Sequence, residues 1–485
     1  MKHFTLLLLL AVQSSAFANS VSTTEDLVAA VQEGNAGDTI LIGEGVFELS
    51  APLEPKAGMT IQGAGKNKTI ITHSSDWNPG TRHLPDSEVN TQRINSRAYL
   101  FRLSDKADGI TISGLTLLGP QMHGAIFGLG NKDLHLHHLR IEDTLYCGIR
   151  TFASQRAKIQ DCEFVDAGGK WKRDGIPGTD GGISGGAIFV TWMTDSEISN
   201  NRIRRTKQGR QYGHYGIKGR GGRRIHIHHN TIDVNFSIEF PFESADSFEI
   251  DHNILQGVVS IPKHAGGKVP ESGVTYEIHH NYFNTSYAIE FMRNGVDIHH
   301  NLFDFDVDKD GGNLISGFGK AAAAGPADFH HNLVSNPGRG VIWIQGPYDH
   351  LKVRNNHIIA RTTTTPRKEG LFGLNGQSDF QTIQIINNII ECRGSARPLL
   401  RSDNSYNATI KNNLLTNVSD IENFENPEGD ETPGLGEPLR FSCGVNGEMV
   451  VDQWRIEMNG VEMKDGEVNE KTGGNEANRD RNGLR

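Results

Sequence analysis

The stretch IHHNYFNTSYAIEFMRNGVDIHHNLF, residues 278–303, contains the pattern apolar-x-x-Asn-x-apolar twice, with its two asparagines 20 residues apart. Related copies follow one another along the chain at intervals of 20 to 32 residues. A period of this length has no room for a strand–helix–strand unit with its helix. The repeated asparagines are Asn201, Asn230, Asn253, Asn281, Asn301, Asn332, Asn356, Asn388 and Asn413, and weaker copies place Leu115, Leu139 and Cys162 at the same position.

Each repeat therefore supplies short strands separated by turns, and consecutive repeats stack to bury their apolar residues. Stacking pairs every strand in parallel with its neighbours, and such connections are almost always right-handed. The sequence predicts an all-β protein, a single-stranded right-handed parallel β-helix over residues 19–460. Asn tolerates left-handed backbone and can stack its amide on those of adjacent coils, so we interpret the repeated Asn as a structural ladder.

Histidine pairs precede four of these asparagines, at 228–229, 279–280, 299–300 and 330–331. Imidazoles aligned at strand spacing are suited to share a metal ion. We favour the simpler interpretation, in which they are stacked, exposed turn residues.

The first residues carry the marks of export. Phe4 to Val12 form an apolar run too short to span a bilayer, and Ala16 to Ala18 have the small-x-small pattern of a cleavage site. Residues 1–18 are therefore predicted to be a secretory signal peptide, and the protein is expected to be secreted or periplasmic. No later segment is apolar enough for a membrane anchor, so we expect no membrane binding. We also expect a monomer that does not bind nucleic acid.

The two ends of the repeat region need covering elements. The segment TTEDLVAAVQEGNAGDTILI, residues 23–42, is predicted to contain a helix with Thr24 as N-cap, and this helix would cover the first coil. Residues 461–485 have few apolar side chains and are predicted to be a disordered polar tail. Cys147 and Cys162 are close enough in sequence for a disulfide, although buried free thiols explain them equally well.

The Asn coils, the opening AGDTILIGEGVFEL and the following MTIQGAGKNKTII resemble secreted right-handed β-helix enzymes that act on polysaccharides. These are chiefly polysaccharide lyases and some glycoside hydrolases. The resemblance covers most of residues 38–420 and implies the fold. It does not identify one family, because the fold carries several chemistries, so it assigns no catalytic residue.

A second motif lies between the Asn turns, a small residue followed by an inward-pointing Ile, as in YGIKGR and YAIEFMRN. The residue after each Ile should point outward, and stacking should align these residues in a column. The predicted column contains Phe127, Arg150, Phe189, Lys218, Glu239, Pro262, Glu290, Ser316 and Trp343. With residues just past the same strands, the candidate catalytic residues are Lys218, Glu239, Lys263, His264, Glu290 and Arg293.

Positive charge is concentrated near this column, although the formal net charge of the chain is −10. The segment RIRRTKQGRQYGHYGIKGRGGRR, residues 202–224, has no carboxylate, and a Gly-rich insertion precedes it. Together the two segments would form a cationic groove, which attracts polyanions. Because export disfavours nucleic acid, we expect an acidic polysaccharide as the substrate. The candidate substrate-binding residues are Arg150, Lys170, Trp171, Tyr215, Arg220 and Trp343.

Two mechanisms compete at this site. In a lyase, Lys218, Lys263 or Arg293 would neutralise a uronate or act as base, with His264, His214 or Tyr215 as proton carriers. Glu239 and Glu290 would then position these groups or bind Ca²⁺.

In an inverting hydrolase, the two Glu residues would act themselves, about 9.6 Å apart at strand spacing. The density of basic residues favours the lyase, since it exceeds what a neutral glycan requires. A C5 epimerase and a non-catalytic surface protein remain alternatives.

Overall fold

The chain forms a stack of parallel coils preceded by one helix and followed by a small antiparallel sheet. The predicted signal peptide, 1–18, lies outside the described residues. The computed structural model describes residues 20–77, 96–104, 107–120, 122–171, 183–209, 213–240, 245–261, 276–291, 295–304, 312–318, 326–345, 350–361, 370–375, 382–402, 408–419, 440–443, 447–452, 455–458, 461–464 and 467–470.

The helix spans Thr24–Glu33. Its N-cap is Thr23 rather than the predicted Thr24, because the Thr23 hydroxyl accepts a hydrogen bond from the Asp26 N–H at 3.1 Å. Leu27 and Val31 are buried and belong to the core cluster of the stack. The helix therefore packs on the first coils, as predicted.

Each central coil contributes strands to three walls. The first wall comprises Thr39–Ile42, Thr60–Gly63, Thr111–Ser113, His135–His137, Lys158–Gln160, Ala245–Asp251, Tyr276–His279, Val296–His299, Pro326–His330, His350–Arg354, Thr382–Ile386 and Ala408–Lys411, with the C-terminal parts of Ile188–Ser199 and Tyr215–His228. The second wall comprises Gly45–Leu49, Thr69–His73, Thr116–Leu118, Arg140–Glu142, Glu163–Val165, Arg202–Arg204, Thr231–Asp233, Ile254–Leu255, Tyr282–Asn284, Leu302–Asp304, Leu333–Ser335, His357–Arg361, Ile389–Arg393 and Leu414–Thr416.

The third wall comprises Tyr99–Arg102, which follows the short 3₁₀ helix Ser96–Ala98, then Gly124–Leu129, Cys147–Phe152, Phe236–Glu239, Val258–Ser260, Ile289–Phe291, Asn313–Phe318, Gly340–Gln345, Phe372–Asn375 and Leu400–Ser402, with the N-terminal parts of Ile188–Ser199 and Tyr215–His228. Because these two long strands continue from the third wall into the first, both walls belong to one sheet of 24 described strands. All pairings within the walls are parallel, as predicted.

The repeated asparagines form the predicted ladder at the turn between the first and second walls. Asn281 Nδ2 donates to Asn301 Oδ1 at 3.1 Å, and the Asn281 backbone N–H donates to the same oxygen at 3.0 Å. The left-handed residue is the one before each Asn, since His280 and His300 both have φ of 52°. The predicted left-handed Asn is therefore wrong: the preceding residue makes the turn, and the Asn amide bonds between coils.

The coil interior is apolar along its whole length, with inward residues from all three walls in one core cluster. Cys147, Cys162 and Cys392 are free and buried, so the predicted alternative of a Cys147–Cys162 disulfide is wrong. Burial raises the pKa of Cys147 to about 12, which keeps this thiol protonated and unreactive.

The parallel stack ends with the short pair Arg397–Pro398 and Val418–Ser419. Beyond it, five strands form an antiparallel sheet. Its last two strands lie within residues 461–485, which were predicted to be a polar tail, so regular structure continues past residue 461. Residues 471–485 lie outside the described residues. The five strands are Arg440–Cys443, Gly447–Asp452, Arg455–Met458, Val461–Lys464 and Glu467–Glu470.

Candidate active site

The third wall brings the central residues of the predicted column together. Its register pairs Lys218 with Glu239, Glu239 with Ser260, and Ser260 with Glu290. Lys218, Glu239 and Glu290 therefore lie on one wall, as the repeat predicted. Glu239 and Glu290 are two coils apart, which corresponds to about 9.6 Å at parallel-strand spacing.

One position of the predicted column is wrong. Ile238 pairs with Val259 and not with Ile261, because the register shifts just before Ile238. Val259 and Ile261 are two residues apart in an extended strand, so both point inward and the apolar pattern does not distinguish them. Ser260 consequently takes the place predicted for Pro262, which lies outside the described residues.

The ionisable side chains of this column are shielded from water. Lys218 is 6% exposed, Glu239 7% and Glu290 6%. Their chain neighbours Ile217 and Ile238 point into the core, so the charged side chains project from the opposite face of the wall. Strand alternation predicted the outward direction of these side chains, and the structure shows in addition that they are buried, where electrostatic interactions are stronger.

Lys218 is held by two groups. Its ammonium group donates a hydrogen bond to the Glu239 carboxylate, and its Nζ lies 3.8 Å from the centroid of the Tyr215 ring. Burial lowers the pKa of Lys218, with the Arg220 charge acting in the same direction, while Glu239 opposes this effect. The resulting pKa lies below the ordinary value of a lysine.

Glu290 lies among hydroxyl groups. The Ser260 hydroxyl donates to Glu290 Oε2 at 3.3 Å. Burial and the charge of Glu290 raise the pKa of Tyr287, and the Ser316 side chain, which is hydrogen-bonded to Tyr287, lowers it. The phenol therefore stays protonated beside the carboxylate.

Arg150 occupies an aromatic cage instead of an open surface. Its guanidinium carbon lies 3.7 Å from the Phe189 ring centroid and 4.0 Å from that of Phe152. It also donates to the Thr191 hydroxyl at 2.8 Å and is 2% exposed. The guanidinium group is thereby enclosed, and the substrate contact predicted for Arg150 remains a prediction. Phe189, which was predicted to point outward, is only 4% exposed.

Trp343 lies at the other end of the column and is partly exposed. Its indole lies against the next coil, where a Cβ on Gly373 would be only 2.3 Å from Cε3 of the indole. This close approach requires glycine at position 373. Trp343 therefore remains a candidate surface for stacking a sugar ring.

The family comparison agrees with this geometry. Residues 124–358 match the family described as right handed beta helix region.

The protein is a right-handed parallel β-helix.

No curated protein matches this β-helix in sequence. Among solved structures it is similar to the surface adhesin PfbA of Streptococcus pneumoniae, with 12% identity, coverage of 91% of this chain and 98% of the other, and a TM-score of 0.43. It is also similar to the A-module of a mannuronan C-5 epimerase from Azotobacter vinelandii, with 12% identity, coverage of 87% and 97%, and a TM-score of 0.38. A third similar structure is the catalytic unit of an α-1,3-glucanase from Streptomyces thermodiastaticus, with 14% identity, coverage of 86% and 70%, and a TM-score of 0.38. Likeness at this level gives no information on activity.

Several predicted residues of the β-helix lie beyond what the structure describes. Lys263, His264 and Arg293 fall outside the described residues. Lys170–Trp171 pair antiparallel with Ile183–Ser184, so the Gly-rich insertion starts and ends in a two-stranded ribbon. No helix of the described residues is long and apolar enough to cross a membrane.

Sequence reasoning missed two members of the site, Ser260 and Tyr287. Ser260 was missed because of the register shift described above. Tyr287 precedes the strand Ile289–Phe291 and reaches the column from the turn, which strand alternation does not predict. The signal available for Tyr287 was a single aromatic residue two positions before the inward Ile289.

Proposed function

We propose that this β-helix is a secreted polysaccharide lyase that cleaves an acidic, uronate-containing polysaccharide by β-elimination. The buried Lys218–Glu239 pair on the outer face of the third wall is the observation that supports this most directly. β-Elimination needs a base for the proton beside the uronate carboxylate, a cation that neutralises the carboxylate, and an acid for the leaving oxygen. Lys218, Arg220 and Tyr215 supply these groups from one strand.

Lys218 is the base in this proposal. A lowered pKa increases the fraction of neutral amine, which is the form that accepts a proton. Glu239 keeps the amine in one position, because its carboxylate accepts a hydrogen bond from Nζ. Arg220 lies two residues further along the same strand and so projects from the same face, where its charge is suited to the uronate carboxylate.

In the chemical step, neutral Lys218 Nζ takes the proton from C5 of the uronate. The C5–H electron pair forms the C4=C5 double bond, and the C4–O bond to the leaving sugar breaks. Tyr215 donates its phenolic proton to the leaving oxygen, and the proton on Lys218 then returns to the Tyr215 phenolate. The products are an unsaturated uronate and a new reducing end.

The same pair disfavours two other chemistries. The Lys218 ammonium group occupies the Glu239 carboxylate, so this carboxylate is not available to act on water or on a glycosidic oxygen as an inverting hydrolase requires. A Ca²⁺ ion held by Glu239 and Glu290 would have to displace the Lys218 ammonium group from Glu239. These considerations support Glu239 as a positioning residue for Lys218.

Electrostatics support an anionic substrate. Lys218 and Arg220 belong to the basic segment 202–224, which has no carboxylate of its own. A concentration of positive charge raises the local concentration and the association rate of a polyanion. Export, which the N-terminal sequence predicts, makes acidic polysaccharide the polyanion this protein would meet.

The test is an assay of the purified protein on a panel of uronate polysaccharides, with and without chelator. Absorbance of unsaturated uronates together with new reducing ends is the expected result. Reducing ends alone would instead indicate a hydrolase acting through Glu239 and Glu290. Epimerised uronate without cleavage would indicate a C5 epimerase, and binding without any reaction would indicate a non-catalytic surface protein; each of these outcomes overturns the lyase.

A further inference from the structure

The outer face of the first wall carries two columns that alternate with core residues. One column is mainly acidic and the other mainly histidine. The acidic column contains Glu197, Glu249, Glu277, Asp297 and Asp328, and the histidine column contains His228, His279, His299 and His330.

Acids and histidines pair diagonally between successive coils. His279 Nε2 lies 3.3 Å from Glu249, His299 Nε2 lies 3.2 Å from Glu277, and His330 Nε2 lies 2.9 Å from Asp297. In each case the acid belongs to one coil and the histidine to the next. In this regular pattern Glu249, Glu277 and Asp297 each contact an imidazole of the next coil.

A further imidazole lies edge-on to each of these histidines. Nδ1 of His279 lies 2.8 Å from Nδ1 of His280, and the His280 ring stacks 5.1 Å from the His300 ring. Both nitrogens of a regular inner histidine are thereby used, one by an acid and one by the outer ring. Such histidines are structural members of the ladder.

At one place in the described wall, an acid and a histidine exchange columns. His226 occupies the acidic column, and Asp251 occupies the histidine column of the next coil. Their diagonal contact is kept, with His226 Nε2 2.5 Å from Asp251 Oδ1. Because Glu249 precedes Asp251 by two residues on the same strand, two carboxylates now face one imidazole; His226 Nε2 lies 3.9 Å from Glu249 Oε2.

We propose that His226, Glu249 and Asp251 bind a divalent transition-metal ion of the zinc class. One imidazole nitrogen and two carboxylate oxygens would be its protein ligands, and one ligand atom from each residue lies within 4.8 Å of the others. Zinc binds such nitrogen and oxygen atoms at about 2.0–2.2 Å, so side-chain shifts of about 1 Å would close the site. The proposal is independent of the lyase, because it uses a different wall.

Burial and shape support this site. Asp251 is 5% exposed and its second oxygen is held by His252 Nδ1 at 2.5 Å, so its carboxylate is fixed before a metal arrives. The other two ligands, His226 and Glu249, line a groove of about 290 Å³ together with Arg224 and Glu277 among others. The groove leaves room for water or a small ligand to complete the coordination of the ion.

The experiment is titration of the full-length, metal-stripped protein with Zn²⁺, followed by calorimetry and by metal analysis after gel filtration. We expect one ion per chain. His226→Gln and Asp251→Asn should each weaken binding at least tenfold, whereas His299→Gln, which removes a regular ladder histidine, should leave it unchanged. Lys218→Ala should also leave it unchanged, whatever its effect on polysaccharide cleavage.

Three results would overturn the proposal. The first is that the native protein binds no Zn²⁺. The second is that it binds several ions and that His299→Gln reduces this binding as much as His226→Gln does. The third is that His226→Gln leaves Zn²⁺ binding unchanged. Circular dichroism checks that each variant is folded. If Asp251→Asn does not fold, the comparison of His226→Gln with His299→Gln decides.

Discussion

The Lys218 ammonium group contacts the Glu239 carboxylate across neighbouring coils, and less than a tenth of the surface of each residue is exposed. The two residues are 21 positions apart in sequence, so only coil stacking joins them. Removing one partner of a buried pair leaves the other charge uncompensated. This makes the pair a sensitive point for both stability and activity.

Replacement of Lys218 by Ala should abolish lyase activity. Loss of a general base reduces the rate by about 10² to 10⁴, measured here as the initial rate of unsaturated uronate formation. The control is Lys158→Ala, since Lys158 is exposed on the first wall. Equal rates for native protein and Lys218→Ala would contradict the assigned base.

The pH dependence follows from the lowered pKa of Lys218. The neutral amine is the active form, so kcat/KM should rise with pH and level off above a pKa lower than the usual 10.5 of lysine. Glu239 stabilises the charged amine, so Glu239→Gln should lower this pKa further and shift the rise to lower pH.

The matched control is Glu44→Gln, because Glu44 forms a Lys–Glu pair with Lys68 that is exposed and remote in sequence from the site. It should leave the pH profile unchanged. A profile that falls with rising pH over this range would be inconsistent with an amine base.

Trp343 and Gly373 provide a test of the aromatic end of the column. Gly373→Ala places a methyl group against the indole, so Trp343 must move. We expect a change in tryptophan fluorescence and a raised KM with little change in kcat, because the chemical groups lie elsewhere. Gly312→Ala is the control, since nothing lies within 4 Å of its added Cβ. An unchanged KM despite altered fluorescence would exclude a role of Trp343 in binding.

The asparagine ladder should contribute strongly to the stability of the coils. Asn301 accepts two hydrogen bonds from Asn281 and its amide donates to the Ile278 and His299 carbonyls and to Asn332. Asn301→Ala leaves these buried groups unsatisfied, at about 1–3 kcal/mol for each group. Thermal melting should show a large decrease in Tm.

Asn413 is the control for this prediction, because it is the last Asn of the ladder and its amide donates to a single described carbonyl, that of Ile385. The decrease in Tm should be smaller for Asn413→Ala than for Asn301→Ala. Similar effects of both substitutions would mean that ladder position does not matter.

The sequence itself contains the pattern that leads to the proposed metal site. The residues four and two positions before each ladder Asn are Glu277 and His279 in one repeat, and His226 and His228 in another. Aligning the repeats at these positions reveals the acidic column and the exchanged His226. The histidine pairs alone do not reveal it, because the acids that accompany them lie two residues before the inner histidine.

The sequence by itself determined the parallel coils, the Asn ladder and the alignment of Lys218, Glu239 and Glu290 on one wall, because a repeat with a fixed turn fixes which residues become neighbours. Only the tertiary structure decided that this column is buried, that Arg150 is enclosed by aromatic rings, and that Ser260 replaces Pro262. Periodicity specifies the inward and outward direction of a side chain. Packing between segments distant in sequence decides whether an outward side chain is covered. The same packing decides which of two inward-pointing residues pairs where the register shifts.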